Sequence, residues 1–244
     1  MPEGPSIVIL REQTLDFIGQ EVLKVRGNTK KINVSIIEYK VVRDIKSWGK
    51  HFLICFDQFT IKIHFLLFGT YRINEEKESE PRLSLQFKGG KMNFYGCSIQ
   101  ILEEPLDQIY DWSADVMSED WDSKSAIKKL VNHPNMLVCD ALLDQNIFSG
   151  VGNIIKNEVL FRCKIHPESL LGKIPTAKLK ELLAETKNYS FEFLKWKKEY
   201  TLKKHWLAHT KTVCSRDDIP LLKKYLGTSN RRTFYCEKCQ KLYN

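Results

Sequence analysis

The sequence predicts an α+β protein of several domains. An antiparallel β domain with a flanking helix comes first, a helical domain follows, and a cysteine-bearing hairpin closes the chain. Three observations carry this. Val- and Ile-rich segments, several with two-residue alternation, run from Glu21 to about Leu102. Beyond an acidic stretch, Glu103–Asp122, apolar residues recur at helical spacing instead. The tail then carries Cys236-x-x-Cys239, half of a metal knuckle.

The 244 residues suffice for two modest cores, and 43% hydrophobic with 28% charged residues is the make-up of a folded chain. No apolar run approaches the ~20 residues that cross a bilayer, and no charged-then-apolar signal pattern opens the sequence. A cytoplasmic or nucleoid-associated location without membrane attachment is expected. The net charge of +8 is unevenly spread. From Lys124 onward 23 Lys and Arg stand against 11 Asp and Glu, a net +12; the preceding 15 and 19 give −4. A basic half on a near-neutral half points to a polyanion partner, although solvated helix faces would account for much of it.

The elements follow in order. Pro5 suits a helix start, and Ile7, Leu10, Thr14 and Ile18 keep helical spacing up to Gly19. Strands are expected at Glu21–Arg26, Ile32–Tyr39, Val41–Ser47 and Phe52–Phe56, the last opened by a polar turn that includes Gly49-Lys50. Thr60–Phe68 alternates at first and then breaks into Leu66-Leu67-Phe68-Gly69, which by pattern alone fits a strand buried on both faces. Leu83, Leu85 and Phe87 lead into a Gly89-Gly90 turn, and Met92–Ile101 returns. After the linker, helices are expected at Ser123–Asn132, Leu137–Phe148 and Asn153–Arg162. Thr176–Tyr200 is one long helix or a broken pair. Cys55, Cys97, Cys139 and Cys163 sit singly in apolar segments and read as small buried hydrophobes in a reducing compartment.

Three stretches carry chemistry. The opening Met1-Pro2-Glu3-Gly4-Pro5 would leave a secondary amine at Pro2 once Met1 is removed, with the Glu3 carboxylate beside it. A generic α-amine has a pKa near ~8 against ~10.4 for lysine, so its unprotonated fraction at neutral pH is roughly 200-fold larger. Such an amine can attack an aldehyde-like carbon and form an iminium; an ordinary frayed terminus is the alternative. Gly150-Val151-Gly152-Asn153 combines a tight turn with an N-cap and a helix N-terminus suited to one phosphate. In the tail, Cys214, Cys236 and Cys239 hold three ligand positions, and Asp217 stands where a fourth cysteine would be expected. His209 is a rival fourth donor, and a finger that has lost its metal is a third reading.

Along nearly its whole length the chain resembles the formamidopyrimidine-DNA glycosylase/endonuclease VIII family. The resemblance rests on Pro2-Glu3-Gly4-Pro5, Gly49-Lys50, Gly150-Val151-Gly152-Asn153 and Arg231-x-Thr-Phe-Tyr-Cys236-x-x-Cys239-Gln240. It implies a β-sandwich domain (2–112), a helix–two-turn–helix domain (123–205) and a zinc-finger hairpin (206–244), with DNA in the cleft between them. Position by position, Pro2 resembles the nucleophile, Glu3 the proton-transfer carboxylate and Lys50 the lysine of the β domain. Asn153, beside Gly152, and Arg231 resemble the pair that grips phosphates. Leu66, Leu67 and Phe68 stand where the family intercalates, and Cys214, Asp217, Cys236 and Cys239 where it binds one zinc ion. The implied activity is a DNA glycosylase with an abasic-site lyase step (β,δ-elimination), acting as a monomer on double-stranded DNA with oxidised bases or abasic sites. Gly4 and the Leu-Leu-Phe-Gly segment resemble the endonuclease VIII branch, which takes oxidised pyrimidines. Activity on oxidised purines and a catalytically silent damaged-DNA binder are the alternatives. Ser6 replaces the family's usual second acidic residue.

Overall fold

The computed structural model describes residues 2–30 and 32–244, in two units that divide between Tyr110 and Asp111. The expected removal of Met1 lies outside the described residues.

In the first unit, helix α1 (Gly4–Thr14) has Glu3 as its N-cap and Pro5 in its first turn. Ile7, Leu10 and Thr14 are buried as their spacing requires. The Thr14 hydroxyl donates back to the carbonyls of Leu10 and Arg11, at 2.9 and 3.0 Å, and the chain tightens into a 3-10 turn, Leu15–Phe17. The helical spacing therefore stops one turn early, and Ile18 is exposed. The strands are β1 (Lys24–Arg26), β2 (Asp44–Trp48), β3 (His51–Cys55), β4 (Thr60–Ile73), β5 (Leu83–Phe87) and β6 (Gly90–Leu102). They form one continuous antiparallel sheet in the order β1-β5-β6-β4-β3-β2. Helix α2 (Leu106–Ile109) and Tyr110 end the unit.

One expected strand is absent. Residues 34–37 form a 3-10 turn, because the Asn33 side chain accepts the Ser35 N–H at 3.1 Å and offers the backbone a local alternative to a ladder. Of the segment's β-branched residues, Ile37 is the one driven fully into the core. Cys55 differs from the other three single cysteines in being half-buried; Cys97, Cys139 and Cys163 are buried, and burial pushes their thiols up to about 12, 11 and 12.

The second unit contains α3 (Ser123–Val131), capped by the Asp122 carboxylate on the Lys124 N–H at 2.8 Å. It continues with α4 (Val138–Ala141), α5 (Asn153–Arg162), α6 (Thr176–Lys198) and the antiparallel pair β7 (Leu222–Leu226) and β8 (Arg231–Tyr235). Helix α6 is unbroken over 23 residues. The helix expected at 137–148 is a single turn. The Asp144 carboxylate takes the Asn146 N–H, and the Gln145 amide bonds the carbonyls of Leu143 and Val151 and the N–H of Gly150, which draws the backbone into turns. The helices close over Phe148, Val151, Ile155, Val159, Leu182 and Phe193. A smaller cluster under the hairpin joins Phe161, Ala208, Leu221 and Cys236. Helical segment and hairpin thus share the second unit. Among the described residues no helix is long and apolar enough to cross a membrane.

Candidate functional site

The chain opening is packed rather than frayed. Glu3 is only 3% exposed, and its carbonyl accepts the Ser6 N–H at 2.8 Å as the first turn of α1 closes. Pro2 is half-buried beside it, and Ser6 is buried. Helix α1 packs on β2 and β3, the hairpin that carries Lys50, and Arg11 donates to the Ile45 carbonyl at 3.0 Å. Gly49 and Lys50 form the two-residue tip between the paired Trp48 and His51, with Gly49 in the left-handed region at φ 52°. A β-carbon is disfavoured there, so glycine sets the tip.

Behind the tip lies an aromatic platform. Trp48 and Tyr110 pack at 4.7 Å, His51 Nδ1 lies 3.2 Å from the Tyr110 hydroxyl, and His64 meets the His51 ring edge-on at 5.3 Å. Burial, and then the charges of Lys62, His64 and Lys50, push His51 down to about 3. Burial and Lys50 lower His64 as well. Both imidazoles are therefore neutral near pH 7, and the site's positive charge sits on lysine.

Strand β4 changes register midway. Phe65 pairs with Cys97 and Thr70 with Tyr95, so four residues, Leu66–Gly69, stand opposite Gly96 alone. Such a bulge needs close backbone contact. A β-carbon on Gly69 would lie 2.7 Å from the Gly96 carbonyl oxygen, and Gly96 itself has φ 58°. The bulge thrusts its side chains into solvent, leaving Leu66, Leu67 and Phe68 53, 59 and 87% exposed. Burial on both faces, the reading that pattern alone allowed, does not hold.

In the second unit Gly152, not Asn153, is the N-cap of α5, and its backbone is extended. The left-handed residue of the turn is Gly150 at φ 94°. Asn153 is the first helical residue and turns its side chain sideways, donating from Nδ2 to the Arg232 carbonyl at 2.8 Å; its Oδ1 is buried without a hydrogen-bond partner. This places Asn153 at the Arg231–Arg232 start of β8. The same helix holds that strand through residues that sequence reasoning missed. Lys156 Nζ donates to Thr233 Oγ1 at 2.7 Å, and Thr233 Oγ1 donates to the Arg231 carbonyl at 3.0 Å. Asn157 Oδ1 accepts the Phe234 N–H at 3.2 Å. Glu158 takes the N–H groups of Leu207, Ala208 and His209 at 2.7–3.0 Å. Lys156, Asn157 and Glu158 are all fully buried. Asp140 holds the hairpin turn by accepting the Thr228 N–H at 3.0 Å. The available signal was three polar residues in succession, Lys156-Asn157-Glu158, between the apolar Ile154-Ile155 and Val159-Leu160-Phe161 of one helix.

Cys214, Asp217, Cys236 and Cys239 converge, their ligand atoms all lying within 4.8 Å of one another. Asp217 Oδ2 is 3.5 Å from Cys214 Sγ and 3.3 Å from Cys236 Sγ; Cys214 and Cys239 Sγ are 3.8 Å apart. Burial opposes a charge on Asp217, but bonds from the three thiols outweigh it and, with Lys238, hold the carboxyl below its usual range. The four could bind a metal ion. His209 is not among them. Its Nδ1 faces Asn157 Nδ2 at 3.1 Å, its ring packs on Trp206 and Phe234, and burial, Lys156 and Arg232 push it down to about 4.

Known proteins share this fold. Residues 113–201 match the formamidopyrimidine-DNA glycosylase H2TH domain. Endonuclease 8-like 2 of Bos taurus is 25% identical over 321 aligned positions, covering 98% of this chain and 96% of that protein. Endonuclease 8-like 3 of Xenopus laevis is 29% identical over 210, covering 81% of this chain but 34% of the relative, so the chain spans about a third of that protein's length. A solved viral DNA glycosylase superposes with a TM-score of 0.87 at 21% identity, over 98% of this chain and all of that one. The formamido-pyrimidine DNA glycosylase of Lactococcus lactis, bound to DNA containing an AP site, gives 0.84 at 21%, over 98 and 99%. The second unit thus carries a helix–two-turn–helix domain, and the fold over nearly the whole chain is that of these solved glycosylases. Along nearly its whole length the chain is similar to proteins of the formamidopyrimidine-DNA glycosylase/endonuclease VIII family.

Proposed function

We propose that this chain is a base-excision repair DNA glycosylase with an abasic-site lyase step, acting as a monomer on oxidised pyrimidines in double-stranded DNA. The observation that carries the reading is the packed opening: Pro2 and the buried Glu3 begin a helix seated on the Lys50 hairpin. A binder that does no chemistry needs neither an amine nor a carboxylate there.

In this reading the Pro2 nitrogen attacks C1′ of the damaged nucleotide, and the base leaves with its bonding electrons and a proton. The sugar opens to an iminium on Pro2, which acidifies the C2′ hydrogen. Loss of that proton expels the 3′ phosphate, a second elimination expels the 5′ phosphate, and water frees the amine. Glu3 moves protons at the sugar, as proton transfer by a positioned carboxylate requires. Lys50 offers its charge to the departing base or an adjacent phosphate. Gly152, Asn153 and Arg231 grip phosphates, through the α5 N-terminus and a bidentate guanidinium. Leu66, Leu67 and Phe68 fill the space of the extruded nucleotide, as apolar wedges do when a base leaves the stack.

Zinc fits the thiolate cluster. Zn–S bonds near ~2.3 Å and a Zn–O bond near ~2.0 Å give tetrahedral edges of about 3.8 Å between sulfurs and about 3.5 Å between sulfur and oxygen. Cys214 and Cys239 Sγ stand 3.8 Å apart, Asp217 Oδ2 stands 3.3 and 3.5 Å from the Cys236 and Cys214 sulfurs, and all four ligand atoms lie within 4.8 Å of one another. Cys214, Asp217, Cys236 and Cys239 would hold the ion, which supplies cross-linking of the hairpin and no step of the reaction.

Borohydride trapping on duplexes with single defined lesions tests the reading. A covalent adduct should form on an oxidised-pyrimidine duplex, peptide mapping should place it on Pro2, and an uncleavable extension before Pro2 should abolish it. An adduct on Lys50 in a fully active extended protein would refute the nucleophile. Preference for 8-oxoguanine would refute the substrate class.

A further inference from the structure

The C-terminal end of α6 carries a feature that the reaction does not use. The helix closes with two backbone bonds, Tyr200 N–H to the Lys197 carbonyl at 3.2 Å and Thr201 N–H to the Trp196 carbonyl at 2.8 Å. This pattern puts the residue after the C-cap in the left-handed region, where glycine is the usual occupant. Here that residue is Tyr200, at φ 59°. Its side chain is 95% exposed, so burial does not offset the backbone strain. The phenol ring and hydroxyl make no hydrogen bond or ring contact with any described residue. Strain without packing gain is a reason to look for a function.

The surroundings indicate which. Lys195, Lys197, Lys198, Lys203 and Lys204 are all exposed, and Glu199 is the one acidic residue from Lys195 to His205. The turn that presents them is braced by the His205 ring, which stacks on Trp196 at 4.1 Å and 5°. Trp196 in turn lies under Arg162, the last residue of α5, at 5.7 Å. The patch therefore sits by the C-terminal end of α5. Asn153, the proposed phosphate grip, begins that helix nine residues earlier, ~14 Å along its axis at ~1.5 Å per residue.

We propose that this end of α6 is a second binding surface for single-stranded DNA, in which a base stacks on Tyr200 and the lysines follow the phosphates. An exposed aromatic with five exposed lysines within five residues of it in sequence matches the needs of single strands, whose bases are free to stack. A duplex keeps its bases stacked within and would use the lysines alone. The choice of DNA rests on the proposed function; such a surface would hold strand beside a lesion while the other site acts.

The probe is a fluorescent, undamaged oligothymidylate of about 16 nucleotides, followed by anisotropy across a salt series. Tyr200→Gly is the key variant. It relieves the left-handed strain, so it should melt no lower than the natural protein, yet it should weaken oligothymidylate binding at least about five-fold, the low end for one lost base–aromatic stack. Excision on a short lesion duplex should be unchanged. Replacing Lys195, Lys203 and Lys204 by alanine should reduce the salt slope by about two units, at about 0.7 per lost phosphate contact on a single strand. Natural-strength binding by Tyr200→Gly would overturn the proposal. So would loss of duplex excision in that variant, which would make the patch part of the lesion site, or displacement of the probe by polyglutamate as readily as by unlabelled strand, which would mark an acidic protein as the partner. If the natural protein excises no lesion but still binds oligothymidylate through Tyr200, the proposed function fails and this surface stands.

Discussion

Replacing Asn157 should loosen the hairpin that carries Arg231, and the structure gives the size of the effect. Arg232 and Phe234 point their backbone groups away from β7, and the Asn157 side chain serves them as a neighbouring strand would. Its Oδ1 accepts the Phe234 N–H at 3.2 Å; its Nδ2 reaches His209 Nδ1 at 3.1 Å and the Arg232 carbonyl at 3.4 Å. In Asn157→Ala the Arg232 carbonyl keeps its 2.8 Å bond from Asn153, but the Phe234 N–H and His209 Nδ1 lose theirs. At about 1–3 kcal/mol for a buried group left unsatisfied, allowing the smaller end for the imidazole, the total is about 2–4 kcal/mol. Urea denaturation at pH 7.5 reads this directly, and affinity for a damaged duplex should fall in parallel as β8 loses its support. Asn157→Asp is the control. It keeps an acceptor for Phe234 and sets a carboxylate against His209, so the loss should be smaller and the imidazole should titrate well above its present value of about 4. An alanine variant within about 0.5 kcal/mol of the natural protein would refute the argument.

Two further outcomes are expected. His51 titrates at about 3 in the folded chain against ~6.5 unfolded, so the unfolded state binds the extra proton; its contribution is complete above ~6.5 and is lost as pH falls towards 3. Between pH 6.5 and 5 the loss from this group is about 2 kcal/mol, and His51→Gln should flatten that part of the stability profile; an unchanged slope would contradict it. Purified protein should hold close to one zinc, and Asp217→Ala should loosen it at least about ten-fold in chelator competition while His209→Ala leaves it in place. The reverse order, or less than about a tenth of an equivalent in metal-replete protein, would sink the proposed ligand set.

Local chemistry explains what could be read from the sequence. Helix α1 follows from Pro5 and the spacing of Ile7, Leu10 and Thr14, all satisfied within one helix. The Gly49-Lys50 tip and the Cys236-x-x-Cys239 knuckle are likewise short-range patterns. The misreadings occur where a side chain competes with the backbone. Asn33 turns a β-branched segment into a 3-10 turn, and Gln145 ends an apolar helix after one turn. Asn153 has the chemistry of an N-cap, yet the Arg232 carbonyl, 79 residues away, takes its amide instead. Periodicity does not register such partners.

The Leu66–Phe68 bulge shows the same limit at the point that matters most for the proposed reaction. Broken alternation in β4 is compatible with burial on both faces and with a projecting loop, and the residues themselves do not choose. The choice lies across the ladder. Gly96, in left-handed geometry, lets β6 step past four residues of β4 with one of its own, and Gly69 has no β-carbon to strike the Gly96 carbonyl. Without both glycines the extra residues would be forced back into register, and a single-residue shift carries each side chain to the opposite face. The exposure of Phe68 is thus a property of two glycines paired over 27 residues of sequence. The same pairing holds Leu66, Leu67 and Phe68 out in solvent, where the proposed insertion into a duplex needs them, and an alanine at Gly69 or Gly96 should lower damaged-duplex affinity by disturbing the bulge.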